Sequence, residues 1–201
     1  MTIGRRIGDG YLGVYRLAAR ARGKTFSLLA RGAFASFGAR TVIQPPVRLS
    51  GERRIAVGSD VFVGAGSWLQ VLGDAAGDIA LTIGDGTSIA GNCVLSAASS
   101  IRLGSKVLVA RGVYVSDHIH AYEDPARAVL EQGIDRVAPV EICDGAWLGE
   151  NVVVGPGVRI GRGAVIGGNA VVLDDVPDHA LAVGVPARVV RRFAEQPEPV
   201  S

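Results

Sequence analysis

The sequence repeats a pattern every six residues, and this period limits the fold more than any other feature. From residue 142 to residue 177, aliphatic residues recur six apart without a slip, and a small or β-branched residue follows each one four places later. Neither an α-helix nor a coiled coil has a period of six. The aliphatic positions are Ile142, Leu148, Val154, Ile160, Ile166 and Val172, and their partners are Ala146, Val152, Val158, Ala164, Ala170 and Val176.

A six-residue unit is long enough for one short strand and one turn, at about 3.3 Å per strand residue. Such short strands need a stacked coil above or below them, and three units close one triangular coil. The 28 glycines recur at the turns between units, where glycine tolerates a positive φ. An earlier, less regular run of the same pattern spans residues 57–120. The sequence therefore predicts an all-β protein, a parallel β-helix of hexapeptide repeats.

The repeat is interrupted by a long excursion at residues 117–139. A loop of this length inside a regular solenoid is usually functional. It contains His118 and His120, two of the three histidines in the chain. A neutral imidazole can accept a proton from a hydroxyl at physiological pH, so these two side chains are the first candidates for a catalytic base.

Three stretches beside the repeats resemble a known family. They are VYVSDHIH at residues 113–120, GAWLGEN at residues 145–151 and VPDHALAVGVPARVVRRF at residues 176–193. Together with the repeats from Pro46 to Phe193, they resemble the left-handed β-helix acyltransferases. The likeness is greatest to the maltose and galactoside acetyltransferases and to the O-acetyltransferases of polysaccharide biosynthesis. The resemblance implies a left-handed coil, acetyl-CoA as co-substrate and a homotrimer with its sites between subunits.

The resemblance also implies roles for individual residues. His118 takes the position of the general base, with His120 as the alternative, and the acceptor would attack acetyl-CoA directly. The acceptor would be bound by Asp117, His120 and Trp147, and the donor by Trp147, Gly149, Gly168, Arg188 and Arg191. One departure is Leu173-Asp174, where the family often has Thr-Lys. It replaces a cation near the CoA phosphates by a carboxylate, for which Arg159 or Arg162 could compensate.

The chain is predicted to divide into three segments: a basic helical segment at residues 1–45, the β-helix at 46–188 and a short tail at 189–201. Up to Arg54 the sequence has 11 basic and two acidic residues. Helical character over residues 10–38 predicts two helices, broken near Gly23. This segment either packs on the β-helix or lies on an anionic membrane. Nucleic-acid binding is not expected, because the basic cluster lacks a matching aromatic motif.

The predicted function is O-acetyl transfer from acetyl-CoA to a sugar or glycan precursor. Three alternatives remain: N-acylation of an amino sugar, a non-catalytic scaffold, and a γ-type carbonic anhydrase, which needs three histidines per zinc. The last is disfavoured because His179 lies beyond the repeats, and no metal-ligand set is predicted. Without a signal peptide or about 20 consecutive apolar residues, the protein is predicted to be cytoplasmic, with peripheral membrane contact through its basic N-terminus left open.

Overall fold

A computed structural model describes residues 3–73 and 77–193 as a helix followed by a triangular solenoid of parallel strands. Each coil gives one strand to each of three sheets. The first sheet contains β1 (Ser36–Phe37), β4 (Ile55–Val57), β7 (Leu81–Ile83), β10 (Ile101–Leu103), β15 (Val140–Ile142) and β18 (Arg159–Ile160). The second contains β2 (Val42–Ile43), β5 (Phe62–Val63), β8 (Ser88–Ile89), β11 (Leu108–Val109), β16 (Trp147–Leu148), β19 (Val165–Ile166), β21 (Ala180–Val183) and β22 (Arg188–Arg192).

The third sheet contains β3 (Arg48–Ser50), β6 (Trp68–Val71), β9 (Val94–Ala97), β12 (Tyr114–Ser116), β17 (Val153–Val154) and β20 (Val171–Val172). The remaining elements are α1 (Ile3–Ala30), α2 (Val129–Gln132), the pair β13 (Ile119–His120) and β14 (Ile134–Asp135), and short 3-10 helices at Arg31–Ala33 and Glu52–Arg54. All pairings within the three sheets are parallel except that of β21 with β22.

The hexapeptide period predicted the core correctly. All six aliphatic positions between residues 142 and 172 are buried, and so are their partners four places later. Aspartates in the turns connect successive coils, because each carboxylate accepts a backbone N–H from the turn of the preceding coil. The Asp85 Oδ1 lies 2.7 Å from the Ser59 nitrogen, and the Asp144 Oδ1 lies 2.8 Å from the Ser105 nitrogen. These two Asp-Gly turns therefore fix the stacking of the coils as well as the direction of the chain.

The N-terminal helix is continuous, so the predicted break near Gly23 is wrong. Gly23 instead lets α1 approach the first coil closely, since a Cβ there would lie 3.2 Å from the Val42 Cγ1. One helical turn later, the Ser27 hydroxyl accepts the Ile43 N–H at 2.8 Å and donates to the Gly23 carbonyl. The glycine and the serine together dock the C-terminal third of α1 on β2.

The solenoid begins earlier than predicted, at β1 rather than at residue 46. Phe37, Ile43 and Leu49 already follow the period of six, and they pack into or against the core. The boundary at residue 188 is also displaced, because β22 pairs with β21 and extends the second sheet to Arg192. Most of the predicted tail, residues 194–201, lies outside the described residues. In the part of the chain that the structure describes, no helix is long and apolar enough to span a bilayer.

Candidate active site

The excursion leaves the solenoid at the corner between the third and the first sheet. It starts where β12 ends, forms the antiparallel pair β13–β14 and the short helix α2, and returns to the first sheet at β15. Its base is closed by the Ala138 N–H, which donates to the Asp117 carbonyl at 2.9 Å. The excursion is therefore a closed loop, and Asp117 and His118 stand at its mouth.

Asp117 and His118 form a buried pair. The His118 Nδ1 lies 2.9 Å from the Asp117 Oδ1, and the two side chains are 8% and 0% exposed. The Asp117 carboxylate also accepts backbone N–H groups from Ala98, Ser99 and Ser100, each at 2.7 Å. A carboxylate that faces three backbone N–H donors acts as the acceptor towards each of them.

This arrangement determines which nitrogen of His118 carries the proton in the neutral ring. Because Asp117 is an acceptor, the Nδ1 must be the donor, and the lone pair is left on Nε2. Nε2 has no hydrogen-bond partner in the described residues. Every fully buried side-chain nitrogen or oxygen in the described residues has a hydrogen-bond partner. Because Nε2 has none, it is not fully buried and is accessible. The His118 ring is thus held by Nδ1, and Nε2 is its accessible nitrogen without a partner in the described residues.

Asp117, which was predicted to bind the acceptor, has its side chain engaged inside the protein. Its side chain is fully buried, and its oxygens are occupied by three backbone groups and by His118. In the sequence, the contact that holds the Asp117 carboxylate is marked by the irregularity at residues 97–100, where the hexapeptide repeat slips before β10. That slip provides the turn whose N–H groups hold the carboxylate. Sequence reasoning also missed Ser116, whose buried hydroxyl donates to the His118 carbonyl at 2.7 Å.

His120 and Trp147 occupy different surroundings from His118. His120 is exposed on β13, opposite Ile134 in the excursion. Trp147 is 47% exposed on the outer face of the second sheet, where it stands between Leu108 and Val165 of the neighbouring strands. In a triangular coil, the corner that carries His118 lies opposite the second sheet. One chain therefore does not bring His118 and Trp147 together.

The two predicted donor-site glycines differ in what surrounds them. A Cβ on Gly149 would lie 2.6 Å from the Gly168 nitrogen and 2.9 Å from the Ile166 carbonyl oxygen. Gly149 is buried under the next coil, so the prediction that it contacts the donor is not supported by its position, and its role is stacking. Gly168 is exposed, and the nearest atom to its Cβ position is the Glu150 carbonyl oxygen at 3.4 Å. Gly168 can therefore face a ligand.

The predicted phosphate-binding arginines lie at the C-terminal hairpin. Arg188 donates to Asp174 at 2.9 Å, so the carboxylate that departs from the family pattern is paired with the very arginine expected to bind phosphate. Arg191 is exposed on β22, with its guanidinium carbon 5.3 Å from the centre of the Phe193 ring. Arg188 is thus available to an anion only in competition with Asp174.

Of the two arginines expected to compensate, Arg159 is also engaged. Its guanidinium lies 3.4 Å from Glu141 and 3.3 Å from Asp178. The pKa of the Asp178 carboxyl lies below its usual value, first because the Arg162 backbone N–H donates to it and then because of Arg159. The Arg162 side chain is exposed beside Lys106 at the corner between the first and second sheets. Arg162 is therefore the better placed of the two to meet an anion.

Comparison with protein families agrees with this architecture. A family model described as bacterial transferase hexapeptide (six repeats) matches residues 139–174, and one described as hexapeptide repeat of succinyl-transferase matches residues 80–117. Both matched segments consist of hexapeptide repeats, in agreement with the solenoid. The two matched ranges stand on either side of most of the excursion and meet it at Asp117 and Pro139.

Similar proteins include a sugar acetyltransferase and solved structures of acyltransferases. The galactoside O-acetyltransferase of Escherichia coli is 29% identical over 163 residues, which cover 81% of this chain and 66% of that protein. The hexapeptide-repeat acetyltransferase VCA0836 of Vibrio cholerae, solved with acetyl coenzyme A, superimposes with a TM-score of 0.62 at 28% identity, covering 84% of this chain and 76% of that chain. AntD, an N-acyltransferase from Bacillus cereus, shares the fold with a TM-score of 0.71 at 20% identity, covering 84% of this chain and 89% of that chain.

Three further curated relatives are 32% to 37% identical over shorter segments. The chain spans about half the length of these relatives, between 43% and 49%.

Proposed function

We propose that this protein transfers the acetyl group of acetyl-CoA to a hydroxyl group of a sugar or glycan precursor, with His118 as general base. The observation that carries the proposal is the buried Asp117–His118 pair at the mouth of the excursion. It presents an accessible Nε2 lone pair from a ring whose other nitrogen is fixed 2.9 Å from a carboxylate. Catalytic bases need such an orienting partner, and a carboxylate on Nδ1 is the best known form of it.

The reaction follows from this geometry. The His118 Nε2 accepts the proton of the acceptor hydroxyl. At the same time, the oxygen of that hydroxyl bonds to the thioester carbonyl carbon of acetyl-CoA. The resulting tetrahedral intermediate breaks its carbon–sulfur bond, and the departing thiolate takes the proton from the imidazolium. The products are an O-acetyl ester and free CoA, and no group of the protein is acylated. Asp117 stabilises the imidazolium during the step because its carboxylate faces the protonated ring.

The donor and acceptor sites lie between copies of the chain in this proposal. The outer face of the second sheet is apolar, with Phe62, Leu108 and Trp147 exposed by 39%, 50% and 47%. The third sheet also exposes an aromatic residue, Tyr114, by 41%. The outer face of the first sheet, in contrast, carries charged residues such as Arg102 and Glu141.

A contact between two different faces of the same chain can close into a ring of three copies. In a homotrimer, the second sheet of one copy packs near the third sheet of the next, and the first sheet faces solvent. Within one chain, the corner that carries the excursion lies apart from Trp147. The ring brings Trp147 of one copy towards the excursion corner of another. A left-handed coil, as the resemblance implies, is part of the same proposal.

The substrates are inferred from the relatives together with the site. Acetyl-CoA as donor is supported by the complex of the Vibrio cholerae structure, and a sugar hydroxyl by the name of the Escherichia coli relative. Gly168 and Arg191 are exposed and can contribute to the donor site. Trp147 offers a flat apolar surface to the donor or the acceptor, and exposed His120 can bind the acceptor from the excursion.

The test is a product assay with matched acceptors. The protein is incubated with acetyl-CoA and with pairs of sugars that differ only by a hydroxyl or an amine at one carbon, and the products are identified by mass spectrometry and by their sensitivity to mild base. Base-labile acetyl esters support the proposal. Base-stable amides formed from the amino sugars alone would reassign the acceptor to an amine. If neither the sugars nor the amino sugars are acetylated and the protein does not bind CoA, acyl transfer is contradicted.

A further inference from the structure

The first half of α1 has a surface that no other described part of the chain covers. Residues 8–18 are all exposed, and side chains become partly buried only from Ala19 onward. Four large side chains in this stretch have most of their surface accessible: Tyr11 by 71%, Val14 by 68%, Leu17 by 68% and Tyr15 by 63%. Exposed apolar residues of this size in a row require a partner surface.

This apolar surface points away from the solenoid. Val14 and Gly23 are nine residues apart, about two and a half helical turns, which places them on opposite sides of the helix. Gly23 faces β2, so the face that contains Val14 is turned outward. The helix can therefore hold the solenoid with one face and cover a broad surface with the other.

The charge of α1 favours an anionic partner. Its sequence contains six basic residues and one acidic residue. Arg16, Arg20 and Lys24 are spaced by four and form an exposed basic stripe beside the apolar face. A second copy of the helix would bring the same six positive charges together with only one acidic residue on each side, which is unfavourable. An anionic surface satisfies both the basic stripe and the apolar face.

The composition of the helix also indicates that it needs a surface. Gly8, Gly10 and Gly13 lie in the exposed half, and glycine is a poor helix former. A helix without tertiary packing is marginally stable in water even with good helix formers. Burial of Tyr11, Val14 and Leu17 against an apolar layer would offset this weakness.

We propose that the outward face of α1 is a docking surface for an anionic phospholipid bilayer. Tyr11, Val14 and Leu17 enter the boundary between headgroups and acyl chains, and the basic stripe binds the headgroup phosphates. Basic amphipathic helices bind such membranes in this orientation. The inference rests on α1 alone and is independent of the proposed acyl transfer, so either can fail without the other.

The experiment is sedimentation of the full chain with vesicles at low and high salt. Vesicles of phosphatidylcholine with phosphatidylglycerol are compared with vesicles of phosphatidylcholine alone. The variants are Leu17→Asp in the apolar face, Arg20→Glu in the basic stripe and, as a matched charge control, Arg102→Glu on the first sheet. Circular dichroism and analytical ultracentrifugation of each variant report its fold and its oligomeric mass.

We expect binding to the anionic vesicles that weakens with salt. Each helix variant should lower the apparent affinity by about tenfold or more, while Arg102→Glu should change it by less than about threefold. No binding of the wild type to anionic vesicles, or equal binding to both kinds, overturns the proposal. A fall in oligomeric mass on Leu17→Asp in an otherwise folded protein also overturns it, because the occupant of the face is then a second copy.

Discussion

Asp117 orients His118 across 2.9 Å, and three backbone N–H groups of residues 98–100 hold Asp117 in turn. The His118 ring is thus fixed by the coil beneath it, one layer down the solenoid, rather than by the far end of the excursion. This relationship connects the fold directly to the proposed chemistry, because the same turn that shifts the repeat also holds the carboxylate.

Asp117→Asn tests the role of the carboxylate as an orienting group. The amide retains the shape of the side chain and one acceptor oxygen, but its NH2 group would face Nδ1 and favour the tautomer with the proton on Nε2. We expect kcat to fall by about 10²-fold or more, with a smaller change in KM for acetyl-CoA. Steady-state kinetics measure both values. An unchanged kcat in a folded Asp117→Asn protein would show that the carboxylate does not orient the base.

Subunit complementation tests whether the site is shared between copies. His118→Ala and Trp147→Ala chains are each expected to be nearly inactive. When they are unfolded together and refolded as mixed trimers, about a quarter of the sites would combine an intact His118 with an intact Trp147 from different chains. Recovery of activity to that level supports the shared site. If mixing restores nothing although the chains co-assemble, the two residues belong to the same chain's site or to none.

The pair Gly149 and Gly168 separates a stacking role from a surface role. Gly149→Ala places a methyl group 2.6 Å from the Gly168 nitrogen, so the coils must move apart. We expect a loss of about 1–3 kcal/mol in the free energy of unfolding. Gly168→Ala meets its nearest atom at 3.4 Å and should cost less than about 0.5 kcal/mol. Thermal denaturation of both variants measures the difference, and equal destabilisation would contradict the assigned roles.

Asp174 and Arg188 are expected to control donor affinity together. Asp174→Asn removes the carboxylate that lies 2.9 Å from the Arg188 guanidinium and leaves the arginine free for a CoA phosphate. We expect KM for acetyl-CoA to fall by about two- to fivefold, and to rise in Arg188→Ala, with kcat little changed in both. The effect should weaken with salt, since both side chains are exposed. An unchanged KM for acetyl-CoA in both variants would contradict a role of Arg188 in donor binding.

The solenoid could be predicted from the sequence because one inward residue per hexapeptide is both necessary and visible. Ile142 and its successors are buried as predicted. The first coil was missed because Gly38 is the only glycine that directly follows one of its inward residues Phe37, Ile43 and Leu49. Gly23 was misread as a helix break because the sequence does not show that Val42 packs against it.

The candidate site was predictable only in part. His118 stands where the repeat stops, which the period alone reveals, and its location at the mouth of the excursion is confirmed. The burial of Asp117 depends on a turn 17 to 19 residues earlier. The sequence shows that the repeat slips there, but not that the N–H groups of the turn face the carboxylate. The pairing of Asp174 with Arg188 likewise depends on the fold-back of β22, which becomes visible only when β21 and β22 are placed side by side.

The most direct test of the central claim is CoA release from acetyl-CoA in the presence of an accepted sugar, compared between the wild type, His118→Ala and His120→Ala. If His118 is the base, its substitution should lower acceptor-dependent release by about 10²-fold or more, while His120→Ala should cost much less. Release that survives in His118→Ala and is lost in His120→Ala would contradict the account and transfer the role of base to the exposed histidine of the excursion.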